Sequence, residues 1–384
     1  MTRVAIVGVG MTPARPSTPE FNWKELTFDA ASRAYADAGA DPREDIDSFV
    51  TCAEDYWEGF GIFDEFVPDQ IGAAMRPTCT VSGDGIQGVA QAAMQIQSGL
   101  ADVVAVESHS KASDLLTYPH IVQHALDPTY NKPLGGHPNY LAGLEMAAFL
   151  ARSRNTLEDC NAVVSKNRRN ALHNPLAAYP SRITAEEAGK APVTFDPLRT
   201  LDEAPLADSA VVVVLASEKR AGKFDPTPVW LKGIGWGSDS PNLETREWTS
   251  AKYTEVAAAM AYKQARVTKP SSAFDVAEVD DRFSFKELAH LEAAGVAARG
   301  MAGKMVRRGD LDRDGRLAVN PSGGSIGGGY LLEATGLRSI AEVALQLRGD
   351  AGRHQVDGAR NGLAVSWRGV PTATGAVAVL GVGR

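Results

Sequence analysis

Residues 210–215 read AVVVVL, an apolar run in which four of six side chains are β-branched. It is too short for a stable helix and apolar at every second position in both registers, so it describes a strand covered on both faces. Residues 4–9 and 103–106 have the same character, and segments of helical period at 26–38 and 85–99 lie between them. That alternation is the grammar of a sheet layered with helices, an α/β fold. It recurs after residue 219. Apolar stretches at 229–237, 274–283, 362–367 and 375–381 are interleaved with helical periods at 253–265, 286–298 and 337–347. Two halves of like grammar predict a duplicated α/β unit, with the boundary near residues 219–226 and the halves at 1–222 and 223–384. Residues 112–200, rich in Pro, Asn and His and carrying an amphipathic helix at 140–152, break the pattern. They read as an insertion from the first half that covers a pocket.

Composition narrows the function classes. A chain of 384 residues with 44% hydrophobic and 22% charged residues buries a large core and is not a disordered tail. Its 37 glycines and 7% aromatics favour many tight strand–helix junctions over a β-sandwich. The net charge of −8 gives no global basic field, so neither nucleic acid nor an anionic membrane is an expected partner. Cys52, Cys79 and Cys160 make no disulfide framework and have no metal-ligand spacing, which predicts a reducing, cytoplasmic setting and no metal. No apolar run approaches a membrane span, and residues 1–12 read as a buried strand rather than a signal segment.

Three segments are candidates for chemistry. Residues 77–99 place a small-residue turn before a helix that is apolar or small on nearly every face, and the N–H groups of such a helix tip stabilise a thiolate, an oxyanion or a phosphate. Ser82 is alternatively its N-cap. Residues 320–336, NPSGGSIGGGYLLEATG, form a glycine loop in which Ser322, Gly323 and Gly324 let backbone approach a ligand; it lacks both the P-loop ending and the Rossmann spacing. Tyr330 at its end is either a core aromatic or an acid/base hydroxyl. The basic cluster SKNRRN at 165–170, with Arg168, either meets CoA phosphates or forms a solvated helix face.

Taken with SKNRRNALHNPLAAYPSRITAEE at 165–187, PLRTLDEAPLADSAVVVVLAS at 197–217 and EVDDRF at 278–283, these motifs resemble the thiolase superfamily over essentially the whole chain. The resemblance is to the branch of archaeal-type thiolases and sterol-carrier thiolase-like proteins. It implies two βαβαβαββ halves in a five-layered α-β-α-β-α sandwich, a dimer, and in some members a small zinc-ribbon/OB-fold partner protein. It also implies an acyl-CoA as substrate, with no separate cofactor.

The sequence departs from that family where the chemistry sits. Aligning Ser82-Gly83 puts Thr80 where the family has its nucleophilic Cys, with Cys79 one residue early. Asp280-Asp281 stand in place of His-Asp, Gly329-Tyr330-Leu331 in place of Gly-His-Pro, and SWRGVPTATG at 366–375 carries no second Cys. Claisen condensation and thiolysis need a thiolate to hold the acyl group. Retro-aldol cleavage does not: a base takes the β-hydroxyl proton, an oxyanion hole at the N–H of Thr80 and a glycine such as Gly369 holds the enolate, and an acid protonates it. The sequence resembles thiolase-fold aldolases that shorten sterol side chains in this way and use tyrosines as acid and base. Tyr330 is the first candidate, Asp280 or Asp281 orient it or act as base, and Tyr253, Tyr140 and His137 follow. The alternatives are an acetyl-CoA acetyltransferase using Cys79, and a non-catalytic chain that binds acyl-CoA or lipid.

Overall fold

The computed structural model describes residues 2–54 and 61–383. Along the first half run strand β1 (Val4–Met11), helix α1 (Trp23–Ala38), β2 (Ser48–Cys52), β3 (Thr78–Val81), helix α2 (Gly85–Ser98) and β4 (Val103–Lys111). The insertion then supplies α3 (Tyr118–Val122), α4 (Pro138–Arg152) and α5 (Leu157–Ala171) before β5 (Asp208–Ser217). The second half holds β6 (Val229–Ser238), α6 (Lys252–Ala265), β7 (Val276–Val279), α7 (Ser284–Ala293), β8 (Ala318–Val319), α8 (Gly324–Gly328), α9 (Ala334–Arg348), β9 (Asn361–Trp367) and β10 (Thr374–Gly381).

The predicted duplication is present strand for strand. The first half is ordered β3-β2-β4-β5-β1 and the second β8-β7-β9-β10-β6, so each strand has its counterpart five strands later. Pairing directions repeat as well: β2 is parallel to both its neighbours and β5 antiparallel to both of its own, as are β7 and β10 in the second half. The two sheets touch at one corner, where Val4, Ala5 and Ile6 pair antiparallel with Leu231, Trp230 and Val229.

Layering follows from the alternation of side chains along buried strands. In β5, Val211, Val213 and Leu215 enter the core shared with α2 and α9, whereas Ala210, Val212, Val214 and Ala216 enter the core under α1. Helices α2 and α9 lie between the two sheets, and α6 and α7 cover the outer face of the second sheet with Ala277, Val279, Val365 and Val377. The result is the five-layered sandwich. At roughly 1.5–3 kcal/mol for each buried aliphatic side chain, these shared cores dominate the favourable side of folding. No helix among the described residues is long and apolar enough to cross a membrane.

The two central helices are joined at their tips. Asp84 caps α2, its carboxylate accepting from Ile86 N at 3.0 Å and from Gly336 N, in the first turn of α9, at 3.0 Å. Helix α2 therefore begins beyond Ser82, which is not its cap.

Candidate active site

Strand β7 is parallel to its neighbours, and its carboxyl end opens directly into residues 280–283 and α7, the position at which α/β sheets place ligands. Asp280 is buried there, its backbone N–H held by Val365 O at 2.9 Å. One carboxylate oxygen accepts from Arg282 N at 3.0 Å; the other, Oδ2, has no partner among the described residues. Burial, reinforced by the charges of Asp281 and Asp84, pushes its pKa up to about 7 against the opposing Arg282 N–H and Lys286. A buried carboxyl with a free oxygen and a pKa near neutrality has the properties of a general base.

Asp281 faces another way. Its oxygens accept from the N–H groups of Ser325 and Ile326 at the start of α8 and from Asn167 Nδ2 at 2.7 Å. All of these bonds hold the glycine loop against α5, so its carboxylate is fully engaged in structure.

Tyr330 is buried, held through its backbone by Pro205 O at 2.7 Å and Ala207 N at 3.0 Å. The Arg282 guanidinium lies over its ring, 4.4 Å from the centroid, and donates to Glu203 at 2.6 Å and to the Ala204 carbonyl. Burial raises the phenol pKa well above its usual value; Tyr118, Asp280 and Glu333 add to the rise and Arg282 opposes it. Its hydroxyl makes no hydrogen bond among the described residues. It abuts Gly369, where an added Cβ would stand 2.6 Å from the oxygen. The Gly369 N–H has no acceptor among the described residues either, and is a candidate oxyanion donor. Tyr118 of α3 completes this side, its own pKa raised by burial and opposed by the charge and hydrogen bond of Arg282.

Tyr253, at the start of α6, lies on the other side of Asp280. Its hydroxyl meets His290 Nε2 at 2.9 Å and receives Lys286 Nζ at 3.1 Å. The Lys286 ammonium also reaches Glu145 of α4 at 2.5 Å and sits 3.8 Å from the centroid of the Trp367 ring. The charge of Asp280 acts on both Tyr253 and Tyr330, raising each phenol's pKa in addition to burial.

The turn before α2 stands across from the last glycine-rich turn. Arg368 reaches Ser82 Oγ at 3.2 Å and pairs with Glu54, which accepts from Ser82 at 2.9 Å. Thr80, half-buried on β3, donates to Asp64 at 3.1 Å. Cys79 points to the opposite side of that strand, where its sulfur meets Gln95 Nε2 at 3.6 Å near the far end of α2. Burial and then Asp64 raise its thiol pKa, opposed by the Gln95 hydrogen bond.

Other candidates have structural assignments. Gly323 and Gly324, at φ +105° and +57°, allow the loop to touch Ala171 and Asp281, where a Cβ would come within 2.6 Å and 2.5 Å of them. Ser322 donates to Glu278 at 2.7 Å, and all three residues are buried. Arg168 is neither on a solvated face nor open to a phosphate: it is buried and donates to Tyr179 O at 2.9 Å. Of its cluster Arg169 is the exposed cation, bridged to Asp312 at 3.1 Å. His137 caps α4 and stacks on Phe195, with Tyr140 beside it, exposed.

Sequence reasoning did not single out Tyr118, Arg282, Glu145, Lys286 or His290. Lys286 and His290 are four apart on α7, so helical spacing put them on one face beside the acidic pair. Tyr118 and Glu145 carry no comparable signal, because they reach the site through the packing of the insertion.

Residues 235–382 match the family Thiolase C-terminal domain-like. An acetyl-CoA acetyltransferase of Methanothermobacter thermautotrophicus is 29% identical over 94% of this chain and 95% of that protein. The sterol carrier protein 2 of Bos taurus is 29% identical over 94% of this chain and 69% of its own length. Among solved structures, the Ltp2-ChsH2(DUF35) aldolase superposes with a TM-score of 0.85 at 26% identity, covering 100% of this chain and 98% of that one. By motif and strand order the chain has the thiolase fold, and in sequence it is similar to the thiolase superfamily, in its sterol-carrier, lipid-transfer-like branch.

Proposed function

We propose that this thiolase-fold protein catalyses retro-aldol cleavage of a bulky β-hydroxyacyl-CoA, of sterol side-chain type, to a ketone and a shorter acyl-CoA. The observation that carries this reading is Asp280 Oδ2, a buried carboxylate oxygen with no partner among the described residues, beside the buried Tyr330, whose hydroxyl makes no hydrogen bond among them, while the Cys79 sulfur is turned toward Gln95. In this reading the Asp280 carboxylate takes the β-hydroxyl proton and the C–O bond becomes the carbonyl of the departing ketone. The Cα–Cβ pair passes to the thioester as an enolate, its oxygen held by the Gly369 N–H, and Tyr330 gives its proton to Cα. The step leaves Asp280 protonated and Tyr330 as phenolate, and the cycle closes when the Asp280 proton returns to the Tyr330 oxygen through solvent after product release, without an oxidant or a covalent acyl-enzyme. Likeness to the Ltp2-ChsH2(DUF35) aldolase supports the reaction class and a partner protein; a partner of the small zinc-ribbon/OB-fold kind beside a homodimer is part of the proposal.

The test is product analysis. The protein, with and without such a partner, is given a β-hydroxyacyl-CoA bearing a tertiary alcohol, and ketone and acyl-CoA are quantified. Equimolar products are expected, with Tyr330→Phe slowing turnover by about 10²–10⁴. No ketone under either condition, or unchanged turnover by Tyr330→Phe, would overturn the reading.

A further inference from the structure

When Tyr330 gives up its proton a phenolate is left in a buried place, and its oxygen has no hydrogen-bond donor among the described residues. A buried anion needs a compensating charge. Arg282 supplies one. Its guanidinium centre stands 4.4 Å from the centroid of the Tyr330 ring, over the π face across which a phenolate spreads its charge. The guanidinium is clamped there: one nitrogen donates to the Ala204 carbonyl, a second to Glu203 Oε1 at 2.6 Å, and Tyr118 takes a further bond from it. Glu203 is held in turn, its other oxygen accepting from Asn139 Nδ2 at 2.6 Å, so the first turn of α4 braces the counter-ion. Burial works against the Arg282 charge, but Glu203, Tyr118, Tyr330 and Asp280 outweigh it and raise its pKa, which keeps the guanidinium protonated.

We propose that Arg282 is a positioning residue that holds the charge of the Tyr330 phenolate: its guanidinium, clamped over the ring by Glu203 and the Ala204 carbonyl, lets the phenol release its proton to Cα and take one back once the products have left. The inference rests on the retro-aldol reading for its catalytic consequence. It assigns opposite signs to two neighbours. Arg282 favours the phenolate, whereas Glu203, paired with the same guanidinium, offsets part of that charge. In the resting protein the same cation already opposes the rise in the Tyr330 pKa caused by burial and then by Tyr118, Asp280 and Glu333.

The test reads the ionisation of this one ring. Tyr330 is replaced by a ring-fluorinated tyrosine, whose phenol is more acidic, and its ¹⁹F resonance is followed against pH in the full chain. Arg282→Gln is expected to raise the titration midpoint by at least about one pH unit, a tenfold fall in the ionisation constant, and Glu203→Gln to lower it. Loss of packing alone does not give shifts of opposite sign. With the natural tyrosine, Arg282→Gln lowers kcat about 10- to 100-fold, the loss typical of a buried charge interaction. Arg282→Lys recovers part of that loss, and Arg282→Gln adds nothing in a Tyr330→Phe background. A midpoint unmoved by Arg282→Gln, a midpoint raised or unmoved by Glu203→Gln, or multiplying effects in the double variant would overturn the proposal. Glu203, whose side chain is 26% exposed, carries the test if Arg282→Gln does not fold. Midpoints that move as expected in a protein that cleaves no β-hydroxyacyl-CoA refute only the retro-aldol reading.

Discussion

The hydroxyl of Tyr330 lies where the side chain of residue 369 would begin: a Cβ on Gly369 would stand 2.6 Å from it, and Gly369 has φ +87°. Two constraints thus meet at one glycine, a left-handed backbone and the close approach of the phenol from the opposite loop. Gly369→Ala should therefore displace the Tyr330 hydroxyl and strain the turn, at about 1–2 kcal/mol for the backbone conformation. The expected outcome is a loss of turnover of at least about tenfold together with a lower Tm, measured by product formation and thermal melting. Retained turnover would mean that the hydroxyl does not act from this position.

The ionisation of Asp280 links stability and rate in opposite senses. Burial raises its pKa to about 7, so the folded protein holds the proton more tightly than the unfolded chain, whose Asp titrates near 4. The stability this gives is present at low pH and lost as pH rises through about 7. In Asp280→Asn that dependence is absent, so the stability of the variant relative to wild type should rise between about pH 4 and pH 7 and then level off. The rate runs the other way, because the base is the carboxylate: kcat/KM rises through about pH 7, and Asp280→Asn abolishes turnover. Denaturant titrations across this range and a pH–rate profile test both; a stability difference that does not change with pH counts against a titrating Asp280.

Asp84 joins the tips of α2 and α9 and is buried, its pKa raised by burial to about 6 against the N–H groups that hold it. Removing the carboxylate leaves Ile86 N and Gly336 N without their acceptor, two losses of about 0.5–2 kcal/mol each. Asp84→Ala should thus destabilise by about 1–4 kcal/mol in urea titration, and Asp84→Asn, which keeps one acceptor oxygen, by less. Gly336→Ala should behave like the alanine variant, because its Cβ would come within 1.8 Å of Asp84 Oδ1.

The legible part of this protein was its buried sheet. Continuous apolar strands such as residues 210–215 announce cover on both faces, and the repeated order announces the duplication, because both are one-dimensional consequences of layering. Helix α5 was less legible. Its inward face carries Lys166, Asn167, Arg168 and Asn170, polar side chains that bond to Glu287, Asp281, Tyr179 O and Asn320 O, so its periodicity imitates a solvated helix. The glycines at 323 and 324 are a related case: they let Ala171 and Asp281 come close, a use that the sequence does not distinguish from the approach of a ligand. Within the site, Tyr330 and Asp280 stood out because they replace residues of a recognisable motif. Glu145 and Tyr118 come from segments whose only signal is the tertiary packing that brings them in.

Cys79 provides the sharpest separation between carbon–carbon cleavage and acyl transfer. Its sulfur meets Gln95, eleven residues along α2 from the Asp84 cap and so about 16 Å from the helix tip at 1.5 Å per residue. The positive end of the helix dipole therefore does not reach it, and burial, then Asp64, holds the thiol pKa up against the Gln95 hydrogen bond. A thiol in that state is mostly protonated near neutral pH and is a poor nucleophile. Incubation with acetyl-CoA should leave the intact mass unchanged, and Cys79→Ser should cleave β-hydroxyacyl-CoA at the wild-type rate. An acetyl adduct that disappears in Cys79→Ser would require the strand to turn its sulfur toward the site, and would make the protein an acyltransferase like its archaeal relatives.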